Sequence, residues 1–183
     1  MIHAPEGITT ARLSLRRPAL KDAADIYAYA HDPEVTRYMV WSTHKEIAES
    51  IAFLKTCAPR WESGDEYCWA MTITPEDRVV GMIGCRVGAY AADFGYVLHR
   101  ECWGRGYATE AAQAVVAWLK HLPSIYRIWA TCDTENIASV RVLEKVGLAC
   151  EGRLRCHTIR PNVSSTPRDT FVFAWVRDEE TKL

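Results

Sequence analysis

The stretch CWGRGYATEAA, residues 102–112, is the most informative part of the chain for its fold. Two glycines flank an arginine, and the apolar residues that follow recur at helical spacing: Ala108, Ala111, Ala112, Val115 and Leu119. Glycine is only modestly enriched at helix starts, so its position here needs a reason. The first N–H groups of a helix are unpaired and partly positive, and glycines let an anion approach them. The segment predicts a phosphate-binding turn, with a plain strand-to-helix turn as the alternative.

The composition of the whole chain is that of an ordinary globular protein. It has 183 residues, 49% of them hydrophobic, with 22 basic and 23 acidic side chains. A net charge of −1 gives no general attraction to nucleic acid or membranes. The sequence shows no signal peptide and no apolar run that could span a bilayer. We therefore expect one domain over residues 1–183, with its core at about 8–176, in the cytoplasm and with neither nucleic acid nor membrane as a partner.

The seven cysteines are odd in number, scattered, and free of any CxxC pair. This pattern predicts neither a disulfide framework nor a zinc site, so most cysteines are expected to be small buried hydrophobes. Cys150, Cys156 and His157 lie close together in the sequence. We expect them on a strand, and no metal is predicted.

Hydrophobic periodicity predicts a strand, two helices, three strands, a helix, a strand, a helix and two final strands. Ser42 and Thr43, followed by Glu46, resemble a capping box at the start of the second helix. The later helices are expected at about 106–121 and 136–146. Strands are expected in ARLSLRRP, YCWAMTI, VVGMIGCRVGAY, ADFGYVL, RIWATC, ACEGRLRCHTI and DTFVFAWV. The order predicts an α+β or mixed α/β sheet domain, with the three central strands paired as an antiparallel meander.

That order, together with WGRGYATEA, NIASVRVLEKVGL and EGRLR, resembles the GNAT acetyltransferase superfamily. It resembles in particular the RimJ/RimL-like branch, which acetylates N-terminal amines of proteins, and TTARLSLRRPALKDAADIY and RYMVW resemble that branch too. The resemblance covers roughly residues 8–176. It implies the GNAT fold, in which helices flank a mostly antiparallel mixed sheet, and acetyl-CoA as cosubstrate without a metal.

The resemblance also implies which residues hold acetyl-CoA. Backbone groups of Val97 and His99 are expected at the pantetheine arm, and Asn136 and Ser139 are expected near that arm and its sulfur. From the residues alone, helix capping is the better explanation of Asn136 and Ser139, whereas the resemblance favours contact with the cofactor. Where the family pattern has Gln or Arg, this chain has Glu101, which we expect to point to solvent. The residues expected at the pyrophosphate are Gly104, Arg105, Gly106, Tyr107 and Ala108.

Acetyl transfer to an amine requires a neutral amine, an oxyanion stabiliser and a proton for the departing thiolate. At pH 7 about one α-amine in ten is neutral, against about one lysine in 2,500, so an N-terminal acceptor needs only weak base catalysis. Asp93 is the first candidate base and Glu151 the second, although each also fits a surface carboxylate. The tyrosine that many GNAT enzymes use as acid is Leu143 here, which leaves Ser139 or solvent as the proton donor. The oxyanion is expected near the backbone N–H of residue 97 or 98.

The resemblance implies that Tyr38 and Trp41 line the acceptor groove, whereas Trp61 and Trp69 are expected in the core. The predicted function is acetyl transfer from acetyl-CoA to a primary amine, foremost a protein or peptide N-terminus, by direct attack in a ternary complex. Two alternatives stay open. One is acetylation of a small amine such as an amino acid, polyamine or antibiotic, and the other is a non-catalytic CoA-binding or regulatory module on the same fold. The acceptor's identity and the oligomeric state stay undetermined, with a homodimer through the C-terminal strands as one option.

Overall fold

The computed structural model of the protein describes residues 3–177, in which eight strands form one sheet in the order β1-β2-β3-β4-β5-β6-β8-β7. Residues 1–2 and 178–183 of the expected domain lie outside this range. The strands are β1 (Gly7–Thr9), β2 (Leu13–Arg16), β3 (Tyr67–Ile73), β4 (Val79–Val87), β5 (Ala91–Leu98), β6 (Arg127–Asp133), β7 (Ala149–Ile159) and β8 (Pro167–Val176). The helices are α1 (Ala23–Ala30), α2 (Pro33–Thr36), α3 (Ile47–Ser63), α4 (Tyr107–His121) and α5 (Ile137–Lys145).

Helices cover both faces of the sheet. The apolar stripe of α4 is fully buried, and it packs in one cluster with Ala92, Phe94 and Leu98 of β5. On the opposite face, α1 and α3 pack against β3 and β4, in a cluster that includes Val97 of β5. Full burial of a side chain such as Leu119 of α4 contributes about 1.5–3 kcal/mol to folding. Because side chains alternate along β5, this one strand presents residues to both layers.

The strands β5 and β6 separate in the middle of the sheet. They form the parallel pair of an otherwise antiparallel sheet, and the pairing joins only Ala91–Asp93 to Arg127–Trp129. Beyond these residues, and within the described range 3–177, the remainder of β5 pairs with β4 alone and Ala130–Asp133 of β6 pairs with β8 alone. A slot therefore opens between the two strands toward their C-terminal ends.

The predicted mixed sheet and its antiparallel β3-β4-β5 meander are confirmed. The capping box expected at Ser42–Thr43 is wrong, because α3 begins at Ile47 and the Glu49 carboxylate accepts a hydrogen bond from the Glu46 N–H at 3.1 Å. The N–H of Thr43 instead donates to Asn162 Oδ1 at 2.9 Å, far along the chain. The short elements β1 and α2 were not predicted, because three or four residues do not establish a period.

The core contains the residues expected there. Trp61 and Trp69 are buried and meet edge to face at 5.2 Å. Five of the seven cysteines are buried, and Cys150 and Cys156 are exposed. Within residues 3–177, no cluster of three or more His, Cys, Asp or Glu side chains has a metal-binding arrangement. No helix in the same range is long and apolar enough to cross a membrane.

Candidate active site

A cleft of about 1240 Å³ extends through the slot between β5 and β6. Its walls come from both strands, from the first turns of α4 and α5, and from the segment after α1 on the opposite face. Sites for single small ligands have volumes of about 300–1,000 Å³, so this cleft has room for an extended ligand and a second molecule.

The predicted phosphate turn lies at the mouth of this cleft, before α4. Gly104 and Gly106 have left-handed φ angles of +72° and +81°, which favour glycine. A Cβ at Gly104 would meet no atom within 4 Å, so the space beside the turn is open. The helix α4 begins at Tyr107 directly after Gly106, and no side chain within residues 3–177 caps it, so its first N–H groups can bind an anion. The turn thus fits the diphosphate of acetyl-CoA.

Arg12 holds this turn in place from the start of the chain. Its Nη1 donates to the Arg105 carbonyl at 2.8 Å, and its Nε donates to Glu110 Oε2 at 2.7 Å. The guanidinium also lies 4.7 Å from the centre of the Tyr107 ring. Arg12 was not predicted, because nothing local in the sequence indicates a contact that spans 93 residues. As expected, Glu101 is exposed, with Arg78 at 3.8 Å.

The backbone of β5 differs from the expectation for Val97 and His99. The His99 N–H donates to the Val80 carbonyl at 2.7 Å, so it points to β4 and away from the slot. Backbone direction alternates along a strand, and Val97 therefore also points to β4. The backbone groups at the open edge belong to Tyr96 and Leu98, and the Leu98 carbonyl accepts a hydrogen bond from Trp103 Nε1 at 2.8 Å. The register of the β4-β5 pair decides which backbone groups face the slot, and this register could not be predicted from the sequence.

Asn136 and Ser139 lie together at the start of α5 and line the cleft. Asn136 caps the helix, since its Oδ1 accepts a hydrogen bond from the Ser139 N–H at 3.1 Å. The Ser139 hydroxyl lies 3.1 Å from the hydroxyl of Tyr96, a residue that was not predicted for the site. Burial raises the pKa of Tyr96 to about 12, so its hydroxyl is protonated at neutral pH. Leu143, at the position where the resemblance implies a tyrosine in many GNAT enzymes, is buried.

The two candidate carboxylates occupy different places. Asp93 lines the cleft on the α1 face, at the last paired position of β5 and β6, and it forms an ion pair with Arg86 at 2.5 Å. Glu151 lies on β7 at the sheet edge, outside the cleft lining, where its Oε1 accepts a hydrogen bond from Arg127 at 2.8 Å. This hydrogen bond lowers the pKa of Glu151. The structure therefore brings Asp93 to the slot and leaves Glu151 away from it.

The segment after α1 forms the wall of the cleft on the α1 face, and both Tyr38 and Trp41 line it. This segment is fixed by Asn162 from the loop between β7 and β8. Asn162 Nδ2 donates to the carbonyls of Thr36 at 2.7 Å and Trp41 at 2.9 Å. The β7–β8 loop thus closes one end of the cleft, and it also places Arg160 in the cleft wall.

Known proteins resemble this chain along most of its length. Residues 12–149 match the family model of the acetyltransferase (GNAT) domain. The chain belongs to the GNAT acetyltransferase family. It is 31% identical over 176 residues to the uncharacterized N-acetyltransferase YoaA of Bacillus subtilis, a match that covers 94% of this chain and 98% of YoaA.

Solved structures of the GNAT family share this fold. An acetyltransferase of the family from Bacillus anthracis superposes with a TM-score of 0.81 at 26% identity, over 93% of this chain and 98% of that one. The ribosomal-protein acetyltransferase RimL, solved in complex with coenzyme A, superposes with a TM-score of 0.82 at 16% identity, over 94% of this chain and 99% of that one. The chain is a GNAT-family N-acetyltransferase, so the GNAT resemblance inferred from the sequence is confirmed.

Proposed function

We propose that this GNAT enzyme transfers an acetyl group from acetyl-CoA to the N-terminal amine of a protein or peptide. The observation that carries the proposal is the slot between β5 and β6, which has the phosphate turn on the α4 face and Tyr38 and Trp41 on the α1 face. A donor and an acceptor can occupy such a slot together from opposite faces. The amine then attacks the acetyl group directly in a ternary complex, without a covalent enzyme intermediate.

The residues at the slot have distinct roles in binding the donor, which supplies an activated acetyl thioester when bound. The turn from Gly104 to Ala108, with the exposed Arg105 side chain, holds the diphosphate. The N–H and C=O of Tyr96 and the N–H of Leu98 bind the pantetheine arm and stabilise the oxyanion, and Asn136 contributes its Nδ2 to the same arm. In this proposal Tyr96 and Leu98 replace the backbone contacts that we expected from Val97 and His99.

Asp93 is the base of the proposed mechanism. It lies on the acceptor side of the slot, where the strands separate, and Arg86 fixes its carboxylate. It accepts the proton of the attacking amine, directly or through a water molecule. This assistance is sufficient for an α-amine, because about one in ten is already neutral at pH 7. Glu151 has no role in the proposal, because it lies outside the cleft.

We assign to the Tyr96–Ser139 pair the role that the resemblance implies for the missing tyrosine of α5. The two hydroxyls are in hydrogen-bond contact, and Tyr96 belongs to the strand that borders the donor. A protonated phenol next to a serine hydroxyl can donate a hydrogen bond to a departing thiolate. We assign this role to the pair, with Ser139 nearest to the sulfur as the resemblance implies.

An acetyl-CoA turnover assay across classes of amine tests the proposed function. Thiol release is measured with a peptide that has a free N-terminus, with the same peptide blocked at its N-terminus, and with free lysine, a neutral amino acid and a polyamine. The free peptide is expected to give the highest kcat/KM, and the blocked peptide no turnover above background. Turnover with the polyamine alone would assign the enzyme to small amines.

Two further proposals concern the protein as a whole, namely that it acts in the cytoplasm and that it forms a homodimer. The β7 strand is the exposed edge of the sheet, with backbone groups that no neighbouring strand pairs within residues 3–177. Sedimentation velocity at micromolar concentration tests the second proposal. A single monomeric species over this range would refute it.

A further inference from the structure

Arg160 is a buried cation in the cleft wall, and no residue between 3 and 177 pairs with it. The residue is 6% exposed and follows β7 directly, at the start of the β7–β8 loop. Its Nε is inaccessible and has no hydrogen-bond partner, and the guanidinium forms no ion pair with any residue between 3 and 177. A charge that has lost its hydration without gaining a partner is costly to fold. A buried, unpaired guanidinium on the wall of a cleft indicates that the cleft binds a ligand with a negative charge.

None of the charged groups around Arg160 within residues 3–177 forms a direct ion pair with it. Asp133 is the acidic residue that attracts it, and this carboxylate is buried at the end of β6. Both oxygens of Asp133 are already bound by Arg168, at 2.7 Å to Nε and 3.0 Å to Nη2. Arg168 also pairs with Glu135 at 3.0 Å, and as a second cation it opposes the charge of Arg160. Burial accordingly lowers the pKa of Arg160.

Arg160 lies on the acceptor side of the cleft, the side formed by the α1 face. Asn162, two residues further along, binds the backbone of Thr36 and Trp41. Arg160 therefore belongs to the same wall as Tyr38 and Trp41, on the α1 face. The phosphate turn at Gly104 precedes α4 and belongs to the opposite face. An anion at Arg160 is thus a part of the acceptor and not of the donor.

We propose that Arg160 binds a carboxylate that the acceptor carries next to its amine. The enzyme then selects acidic acceptors, through either an acidic second residue of a peptide or the α-carboxylate of a free amino acid. The planar guanidinium offers paired N–H groups that match a carboxylate, which fixes the amine relative to Asp93. This inference rests on the proposed acetyl transfer at the same slot and names the substrate class that the slot accepts.

Matched pairs of acceptors test the inference. One pair is a peptide with Asp as its second residue and the same peptide with Asn there, and the other is an amino acid and its α-carboxamide. Wild-type enzyme is expected to favour the acid of one pair by about 10- to 100-fold in kcat/KM, the range for hydrogen bonds to a charged group. The pair that shows this preference identifies the source of the carboxylate.

Three variants separate recognition from structure. Arg160→Gln is expected to abolish the preference for the acid while the KM for acetyl-CoA stays unchanged, and Arg160→Lys to retain part of the preference. Arg155→Gln removes the same charge from an exposed position on β7 and is expected to keep the whole preference. Because the Arg160 guanidinium has no partner within residues 3–177, Arg160→Gln is also expected to keep the midpoint of thermal unfolding.

Several results would overturn the inference. One is equal kcat/KM for acid and amide in both pairs, and another is the absence of turnover with any amine that carries a carboxylate. A raised KM for acetyl-CoA in Arg160→Gln would assign the residue to the donor, and a large fall in its unfolding midpoint would assign it to structure. The two proposals fail separately. Peptide turnover without acid preference refutes only the role of Arg160, whereas acid preference among amino acids without peptide turnover refutes only the N-terminal acceptor.

Discussion

The phosphate turn can be tested with two substitutions of Gly104 that differ only in charge. Asn and Asp have the same shape, and both tolerate the left-handed backbone that Gly104 adopts at φ +72°. A Cβ meets no atom there within 4 Å, so each variant is expected to lose only about 1 kcal/mol of folding stability. Gly106 is a poorer position for this test, because its Cβ would lie 3.4 Å from Arg12 Nη2.

The charge of Gly104→Asp is expected to weaken CoA binding relative to Gly104→Asn. At a separation of about 6 Å and an effective dielectric constant of about 40, one pair of unit charges repels by about 1.4 kcal/mol. A diphosphate with one or two charges at that range gives about a 10- to 100-fold difference in Kd. Isothermal titration calorimetry of CoA into both folded variants measures it. Equal affinities would refute the assignment of the diphosphate to this turn, and a difference that disappears at high salt would support its electrostatic origin.

Three other substitutions test the remaining residues of the site and its support. Asp93→Asn is expected to lower kcat by about 10- to 100-fold at pH 7 with a peptide amine, and the deficit should shrink toward pH 9 as α-amines become neutral; a deficit constant with pH would assign Asp93 to structure. Tyr96→Phe is expected to lower kcat about tenfold with an unchanged Kd for CoA, and a change confined to that Kd would contradict its role with the thiolate. Asp133→Asn is expected to lower the free energy of unfolding by about 3–5 kcal/mol at pH 7, measured by urea unfolding. Burial raises the pKa of Asp133, but hydrogen bonding to Arg168 outweighs burial and lowers this pKa overall. The ionised Asp133 therefore stabilises the fold above about pH 4, and this stabilisation is lost as pH falls through the lowered folded-state pKa. A loss of stability in Asp133→Asn that does not depend on pH would contradict this.

The phosphate turn could be predicted from sequence because its information is local. Two glycines, an arginine and the helical stripe after them lie within 18 residues, from Cys102 to Leu119, and glycines directly before a helix indicate an anion site. The meander was predictable for the same reason, since its strands are separated only by short turns.

The other parts of the site depend on contacts between distant residues. Arg12 reaches the turn across 93 positions, and Tyr96 meets Ser139 across 43. Asp93 and Glu151 both lie on strands, and only the strand order shows that one is central and the other is at an edge. Arg160 lies in a polar loop of the sequence, and only the fold brings it near Asp133 and Cys132 of β6.

The most direct test of the account is the site of acetylation on a peptide with a free N-terminus and one internal lysine. The peptide is incubated with enzyme and acetyl-CoA at pH 7, and tandem mass spectrometry locates the acetyl group. The account predicts one acetyl group on the α-amine and none on the lysine, with CoA released in equal amount. Acetylation of the lysine alone, or CoA release without any acetylated peptide, would contradict it.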